Sequence, residues 1–252
     1  MICIKNRKYK QLIILAGGKG TRMKYEGPKC GYVIEGKSMI ERIMCTCQRI
    51  KFNKRIVVLG YKKEELERIL YKSKYKRKYK IAYQEKQLGT ADAVKSTKHL
   101  ANKEGITIII PGDMPFIDDD IINSLINFHL KTNSNITILT NIVSNPYGYG
   151  RIIKENNLVL RIVEEVNAKY NEKEVNEVNS GVLCINSDIL YTLIDMVGKN
   201  NKNDEYYLTD IVEIANNTLL NPKITTVAYD NDYRLLGVNN EQVLSNLSNR
   251  LN

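Results

Sequence analysis

Short apolar runs alternate with amphipathic helical patterns through the first half of this chain, and this alternation constrains the fold more than any other feature. The runs are QLIILA (11–16), RIVVLGY (55–61), KIAYQ (80–84), ITIIIPGD (106–113) and NITILTNIV (135–143). The helical pattern SMIERIMCTCQRI (38–50) opens with a capping box from Ser38 to Glu41. Strands separated by helices favour a mainly parallel sheet covered by helices on both faces. The sequence therefore predicts an α/β fold.

Strand patterns cluster in the second half of the chain. They are RIIKE (151–155), LVLRIVEE (158–165), SGVLCIN (180–186) and ITTVAYD (224–230). We expect part of this cluster to form a small antiparallel portion beside the main sheet. The other helical patterns are KKEELERILYKS (62–73), GTADAVKSTKHLA (89–101), DDDIINSLINFHLKT (118–132), SDILYTLIDMVGK (187–199), YLTDIVEIANN (207–217) and NNEQVLSNLSNRL (239–251).

Bulk properties set wide limits on function. The 252 residues, 43% of them hydrophobic, suffice for one large α/β domain or two small ones. The net charge of +10 indicates an anionic partner without separating nucleic acid, a membrane surface and a small polyphosphate. Five cysteines without a CxxC pair predict reduced thiols in a cytoplasm. No apolar run approaches the ~20 residues of a membrane span, so no membrane insertion is expected.

A glycine-rich loop, LAGGKGTRMKYEGPK (15–29), follows the first apolar run. It lacks the GxxxxGK[ST] pattern of a P-loop, and Met23 stands where a dinucleotide loop has its third glycine. The backbone N–H groups of such glycines could still bind phosphate oxygens, with Lys19, Arg22 and Lys29 adding positive charge. A plain strand-to-helix turn with surface lysines is the alternative.

A second candidate site is PGDMP (111–115), at the end of the most apolar run. It places Asp113 at the carboxyl edge of the predicted sheet, where a carboxylate facing polyphosphate is a usual Mg²⁺ ligand. A turn aspartate that bonds its own backbone is the alternative. The acidic residues 118–120 are better explained as the first turn of the next helix.

Several motifs in register resemble those of the sugar-1-phosphate nucleotidyltransferases. They are LAGGKGTRM followed by PK, QEKQLGTADAV, PGDMP, YGYGRI, RIVEE, EVNSG, EYYLTD and GVNN. The set is most similar to the uridyltransferase half of the bifunctional bacterial enzyme that makes UDP-N-acetylglucosamine. The resemblance implies a Rossmann-like nucleotidyltransferase domain over residues 1–238 and a C-terminal helix over 239–252. Hexapeptide repeats are absent, so the β-helical acetyltransferase part of that enzyme is not expected from this sequence.

The resemblance also implies roles for individual residues. The residues implied to bind the nucleotide are Leu15, Ala16, Gly17, Gly18, Lys19, Gly20, Thr21, Gln84, Gly89 and Thr90. Those implied in catalysis are Arg22, Lys29 and Asp113. The sugar would contact Gly150 or its neighbour Gly148, together with Glu164 and Asn179. The implied ligands of Mg²⁺ are Asp113 and Asn239. Simpler structural explanations stay open for some of them: helix capping for Thr90 and Asn239, a solvated strand end for Glu164 and a turn for Asn179.

The implied reaction is attack by the phosphate of N-acetylglucosamine 1-phosphate on the α-phosphorus of UTP, with loss of pyrophosphate. Three positions depart from the family pattern: Asp92 where histidine is frequent, Asp204 where glycine is common and Ser180 in place of threonine. Asp92 brings negative charge close to the proposed base-reading residues. Nucleotide and sugar preference therefore stay open, and a related enzyme using another sugar phosphate or nucleoside triphosphate is the nearest alternative.

A rival function of another class rests on the basic segment KSKYKRKYK (72–80). Such a segment could bind nucleic acid in a non-catalytic relative. Lysine runs are usually solvated surface, however, and the complete set of implied ligands argues against this function. We expect nucleic-acid binding to be absent.

Overall fold

The computed structural model describes residues 9–20, 23, 25–199 and 201–239. The described residues form eleven β-strands and seven α-helices. The strands are β1 (Lys10–Ala16), β2 (Val33–Ile34), β3 (Lys37–Ser38), β4 (Lys54–Leu59), β5 (Lys80–Tyr83), β6 (Ile106–Pro111), β7 (Ile136–Ile142), β8 (Arg151–Glu155), β9 (Leu158–Val163), β10 (Glu177–Asn186) and β11 (Ile224–Asp230). The helices are α1 (Met39–Gln48), α2 (Lys63–Lys72), α3 (Thr90–Lys95), α4 (Asp119–Thr132), α5 (Tyr170–Lys173), α6 (Ser187–Met196) and α7 (Asp210–Thr218).

The central sheet has the strand order β11-β7-β10-β6-β1-β4-β5. Strand β1 pairs in parallel with β4 and β6, and parallel pairing also joins β4 to β5 and β7 to β11. Strand β10 runs antiparallel to both β6 and β7. Strands β8 and β9 form an antiparallel pair attached to β10. The predicted α/β fold with a small antiparallel portion is confirmed.

Helices cover both faces of this sheet. Leu12 and Ile14 of β1 belong to a core with α1, α2 and α4, whereas Ile13 belongs to a second core with α3, α6 and α7. Adjacent side chains of a strand point to opposite faces, so both faces of β1 must be covered by apolar groups. This double burial explains why the central strands read as continuous apolar runs.

Two predicted helix starts are confirmed at their caps. The backbone N–H of Glu41 donates to Ser38 Oγ, and the Glu41 carboxylate accepts from the Ser38 N–H, which completes the capping box of α1. At α4, Asp118 Oδ1 accepts from the Ile121 N–H at 2.9 Å. Asp119 and Asp120 then lie in the first turn, where carboxylates favour the helix dipole.

The helix predicted over residues 89–101 is shorter than expected, because α3 ends at Lys95. The hydroxyls of Ser96 and Thr97 donate to the carbonyls of Ala93 and Val94 at 2.7 and 2.6 Å. Such side-chain bonds compete with the backbone ladder of a helix and favour the turns that follow.

The helix predicted over 239–252 lies outside the described residues apart from Asn239. Within the described part of the chain, no helix is both long enough and apolar enough to span a membrane.

Candidate active site

A cavity of about 610 Å³ opens at the carboxyl ends of β1 and β6. This volume is within the range of small-molecule sites. Predicted residues that line it are Leu15, Gly17, Gly18, Lys19, Gly20, Lys29, Gln84, Gly89, Thr90, Asp113, Glu164, Asn179 and Asn239. Ala16 is buried at the end of β1 and Gly150 packs behind the cavity wall, so neither is a lining residue. Thr21 and Arg22 lie outside the described residues.

The glycine-rich loop forms one end of the cavity. The Gly17 carbonyl accepts from the Tyr61 N–H at 2.9 Å, which ties the loop to the end of β4. Gly20 has a φ of +64°, and a Cβ at this position would lie 2.7 Å from the Cβ of Lys29. The loop therefore passes directly over the aliphatic part of Lys29.

Lys29 joins the ends of two distant segments. Its ammonium donates to Asp113 Oδ2 and, at 2.6 Å, to Asn239 Oδ1. The Lys29 side chain is only 11% exposed and that of Asp113 is 22% exposed, so the ion pair lies largely out of water. The Asp113 carbonyl also accepts from the Val238 N–H at 2.8 Å, which fixes Asn239 beside the carboxylate.

Asp113 and Asn239 together could hold a cation. Their oxygens converge on one positively charged atom, the Lys29 Nζ, and carboxylate and amide oxygens are the hard ligands that Mg²⁺ prefers. Among the described residues, no group of three or more His, Cys, Asp or Glu side chains could hold a metal. Any Mg²⁺ here would thus need further oxygens from phosphate and water, which is usual for this ion.

Gln84 lies next to the glycine-rich loop. A Cβ on Gly17 would lie 2.9 Å from Gln84 Oε1. Gln84 Nε2 donates to the Gly89 carbonyl at 2.9 Å and to the Asp92 carboxylate at 2.8 Å. Gln87 of the same motif also lines the cavity. Gln87 has no role among the sequence-based predictions, although its position three residues after Gln84 in the same motif could have indicated one.

The segment EYYLTD packs on the Gly89–Thr90 turn. Gly89 has a φ of +124°, and a Cβ there would lie 2.4 Å from the Tyr206 carbonyl oxygen. The Leu208 N–H donates to Thr90 Oγ1 at 2.8 Å, and Gly89 rather than Thr90 is the N-cap residue of α3. Helix capping as an explanation for Thr90 is therefore wrong, because its hydroxyl is used to hold Leu208.

Glu164 and Asn179 both line the cavity and lie close to Gly150. The Asn179 N–H donates to the Gly150 carbonyl at 2.8 Å, and a Cβ on Gly150 would lie 3.4 Å from both carboxylate oxygens of Glu164. Asn179 lies within β10, and its Oδ1 accepts from the Gly181 N–H at 2.9 Å. A side-chain bond to the backbone two residues on is typical of an Asx turn, so the turn explanation for Asn179 is supported and is compatible with its place in the cavity lining. Gly148 instead donates its N–H to Glu165 at 3.0 Å.

Glu164 is not a solvated strand-end carboxylate. Its Oε1 accepts from Thr209 Oγ1 at 3.0 Å, and burial raises its pKa above the usual range. Burial, followed by the charge of Glu164, also raises the pKa of Asp210 to about 6. Sequence reasoning missed Thr209 as a lining residue, and the only signal was its position in the EYYLTD motif.

Two departures from the family pattern have local explanations. Asp204 adopts a φ of +52°, a conformation in which glycine is favoured. Ser180 donates its hydroxyl to the Leu139 carbonyl at 2.7 Å and accepts from the Val182 N–H at 3.2 Å. Both positions therefore shape the backbone around the cavity.

The cavity offers no activated nucleophile among the described residues that line it. Cys30 is its only lining thiol in this part of the chain, and burial raises the Cys30 pKa to about 12. A thiol with this pKa stays protonated near neutral pH and is inert. His129 is buried on α4 and lies 2.9 Å from Thr137 Oγ1, remote from the lining residues. The arrangement suits binding and charge neutralisation of phosphates better than covalent catalysis.

The basic segment 72–80 lies away from the cavity, since none of its residues is a lining residue. It comprises the end of α2, a short 3-10 turn over Lys76–Lys78 and the start of β5. The side chains of Lys72, Lys74, Arg77, Lys78 and Lys80 are exposed, so the expectation of a solvated lysine-rich surface is confirmed for these residues.

Comparison with known proteins identifies relatives of the chain. The sequence profile of the nucleotidyl transferase family matches residues 11–223. The bifunctional protein GlmU of Thermoanaerobacter pseudethanolicus is 41% identical over 80% of this chain and 43% of its own length. GlmU of Clostridioides difficile is 37% identical over 92% of this chain and 50% of its own length. The chain spans about half the length of the curated relatives it matches.

Solved structures support the fold. A crystal structure of UDP-glucose pyrophosphorylase in complex with UDP-glucose has a TM-score of 0.78 and covers 96% of this chain and 98% of its own. The apo form of a UDP-glucose pyrophosphorylase has a TM-score of 0.77 with the same coverage. Both are 17% identical to this chain, so the likeness shows a shared fold alone.

Proposed function

We propose that this chain, which belongs to the nucleotidyl transferase family, transfers the uridylyl group of UTP to N-acetylglucosamine 1-phosphate. The products are UDP-N-acetylglucosamine and pyrophosphate. One observation carries the proposal: a single cavity is lined both by the Lys29–Asp113–Asn239 cluster and by Glu164 with Asn179. The cluster suits a triphosphate, and Glu164 with Asn179 suits the polar groups of an N-acetylated sugar.

The reaction requires little proton transfer by the protein. An oxygen of the sugar phosphate attacks the α-phosphorus of UTP, a new P–O bond forms, and the bond to the β-phosphate oxygen breaks. The sugar phosphate is already an anion, so no general base has to generate the nucleophile. The cavity agrees with this, because its described lining includes no histidine and its cysteine thiol has a raised pKa.

Lys29 neutralises charge that develops on the α-phosphate and the leaving group. Its burial beneath the loop strengthens this effect, because a largely dry charge is screened little by solvent. Asp113 and Asn239 would hold Mg²⁺, which when bound offsets the charge of the phosphates. Arg22 is proposed as a second phosphate contact, and the N–H groups of the glycine-rich loop as hydrogen-bond donors.

Residues that bind the uracil and the sugar would fix the two substrates in line. Gln84, Gly89 and Thr90 would bind the uracil edge, because an amide and backbone groups match its donor and acceptors. Glu164 and Asn179 would bind the sugar, with Gly150 setting the wall behind them. Holding both reactants in this geometry supplies a large part of the rate enhancement. A cytoplasmic location is part of the proposal, since UTP is a cytoplasmic metabolite and the cysteines of the described residues form no disulfide.

The test is a matrix of substrate pairs. Pyrophosphate release would be followed for UTP, dTTP, CTP, ATP and GTP, each with N-acetylglucosamine 1-phosphate, glucose 1-phosphate and mannose 1-phosphate. We expect the highest kcat/KM for UTP with N-acetylglucosamine 1-phosphate. Preference for another pair would replace the substrate assignment, and lack of turnover with all pairs would contradict the function.

A further inference from the structure

The side chain of Gln84 is held by two acceptors. Gln84 is only 5% exposed, and its Nε2 donates to the Gly89 carbonyl at 2.9 Å and to the Asp92 carboxylate at 2.8 Å. A primary amide has two N–H groups, so both donors of Gln84 are used.

These two partners fix which way the amide faces. A carbonyl and a carboxylate can only accept hydrogen bonds, so the nitrogen of Gln84 must face them and Oε1 must face away. That oxygen lies on the side of the glycine-rich loop, 2.9 Å from where a Cβ of Gly17 would be. No described residue donates a hydrogen bond to it, so the cavity presents an acceptor at this point.

Asp92 contacts the cavity lining through the Gln84 amide. It lies in the first turn of α3, whose neighbouring residues Ala91, Ala93 and Val94 are buried in the core. Asp92 is not a lining residue, and it forms no ion pair with any described residue. The helix is anchored by its apolar side, and the carboxylate is therefore held at a fixed distance from Gln84.

We propose that Asp92 is a positioning residue that fixes Gln84 as a hydrogen-bond acceptor and so selects a pyrimidine with an N–H donor at N3. This inference rests on the proposed use of a uridine nucleotide. Uracil has an N–H at position 3 and can donate to Gln84 Oε1. Cytosine has a lone pair there, and the two acceptors would face each other with neither one paired.

The Gly89 carbonyl alone orients the amide less strongly. A hydrogen bond to a charged acceptor contributes more than one to a neutral acceptor. Without the Asp92 carboxylate, a half-turn of the Gln84 amide would place Oε1 against the Gly89 carbonyl alone. The amide nitrogen of Gln84 could then donate to N3 of cytosine. Discrimination between the two bases should therefore depend on Asp92, while binding of the sugar phosphate is unaffected.

The test compares the ratio of kcat/KM for UTP to that for CTP, with N-acetylglucosamine 1-phosphate, in the wild type and in Asp92→Ala. We expect the ratio to fall by about tenfold or more, which corresponds to about 1.4 kcal/mol. Asp92→Asn keeps an oxygen acceptor and should retain most of the ratio. Asp120→Ala removes a first-turn carboxylate from α4, away from the cavity, and should leave the ratio unchanged. Where CTP turnover is too slow, the Ki of CTP against UTP replaces its kcat/KM.

An unchanged ratio in folded Asp92→Ala, within about twofold, would overturn the role of Asp92 while wild-type turnover of UTP still supported the proposed function.

The wild type supplies an independent measurement that does not depend on a variant folding. UTP methylated at N3 lacks the donor, so we expect its kcat/KM to be at least about tenfold lower than that of UTP, again about 1.4 kcal/mol. Equal use of the two nucleotides would overturn the proposed acceptor. Failure of the proposed function is separate, because it appears as absence of wild-type turnover with UTP.

Discussion

The Nζ atom of Lys29 lies 2.6 Å from Oδ1 of Asn239, although the two residues are 210 positions apart in the chain. The same ammonium contacts Asp113, which follows the central strand β6. One cation thus ties together the glycine-rich loop after β1, the end of β6 and the last described residue. The proposed phosphate end of the site exists only when all three segments are in place.

Replacing Asp113 tests whether its carboxylate is needed in the Lys29–Asp113–Asn239 cluster. We expect Asp113→Ala to lower kcat at least about a thousandfold, because it removes a ligand of the proposed Mg²⁺ and the partner of Lys29. The free energy of unfolding should also fall, by about 3 kcal/mol, because the substitution leaves the largely buried Lys29 ammonium without its charged partner. Pyrophosphate release and urea denaturation measure the two effects, with Asp120→Ala as the control. Near-normal rates at saturating Mg²⁺ would contradict the assignment.

Replacing Lys29 separates its charge from its packing. Lys29→Met keeps an unbranched side chain as far as the ε position and its contact with the Gly20 turn, and it removes the ammonium. We expect kcat to fall by about 10² to 10³, the usual cost of removing one group that stabilises transition-state charge. Single-turnover kinetics with UTP would measure this loss. Lys98→Met removes an exposed ammonium paired with Asp195 and should leave the rate unchanged. A comparable loss in both variants would show that net charge, rather than position, matters.

Gly89→Ala should destabilise the Gly89–Thr90 turn, on which the EYYLTD segment packs. A Cβ would meet the Tyr206 backbone at 2.4 Å, and the φ of +124° is strained for any side chain. We expect a loss of about 2 kcal/mol or more in the free energy of unfolding. Gly18→Ala is the matched control, because a Cβ there meets nothing within 4 Å. Equal stability of the two variants in thermal and urea denaturation would show that the turn relaxes without cost.

Asp210 predicts a pH dependence of stability with a definite sign. Its pKa is raised from 3.8 to about 6, so the folded state binds a proton more tightly than the unfolded state between these values. Its contribution is most favourable below pH 4 and is lost as pH rises to about 6. Asp210→Asn has no carboxyl to titrate and so does not lose this contribution. The free energy of unfolding of the variant minus that of the wild type should therefore increase from pH 4.5 to pH 7.5. After allowance for solvent screening, the gain is on the order of 1 kcal/mol.

Asp195→Asn provides the opposite control for that measurement. Hydrogen bonds from Lys98 and Lys95 lower the pKa of Asp195, so its contribution to stability is present at neutral pH and is lost as pH falls. This variant should therefore lose stability relative to the wild type as pH rises from acid. Parallel pH profiles for the two variants would contradict the assignment of Asp210.

Much of the fold could be predicted because its signals are local. The core strands are buried on both faces and read as apolar runs, and the caps at Ser38 and Asp118 lie within three residues of their partners. The hairpin of β2 and β3 could not be predicted, since its strands have two residues each and show no period. The end of α3 depended on the hydroxyls of Ser96 and Thr97, which bond to the backbone instead of continuing the helix.

The residues that line the site could be predicted from the sequence, but the contacts between their side chains could not. The position of Asp113 followed from the rule that ligands bind beyond the carboxyl ends of parallel strands. The bond from Thr209 to Glu164 joins residues 45 positions apart and has no local signature. Likewise, sequence reasoning took Asp92 as a negative charge near the base, and only the folded chain shows its carboxylate against the Gln84 amide. The roles of these residues stay predictions until they are measured.

The most direct test of the proposed function follows the uridylyl group itself. Wild-type protein would be incubated with N-acetylglucosamine 1-phosphate, Mg²⁺ and UTP labelled either at the α- or at the γ-phosphorus. We expect the α label to enter UDP-N-acetylglucosamine and the γ label to leave in pyrophosphate. Absence of α label from a nucleotide sugar, or its appearance only when another sugar phosphate is supplied, would contradict the proposed function.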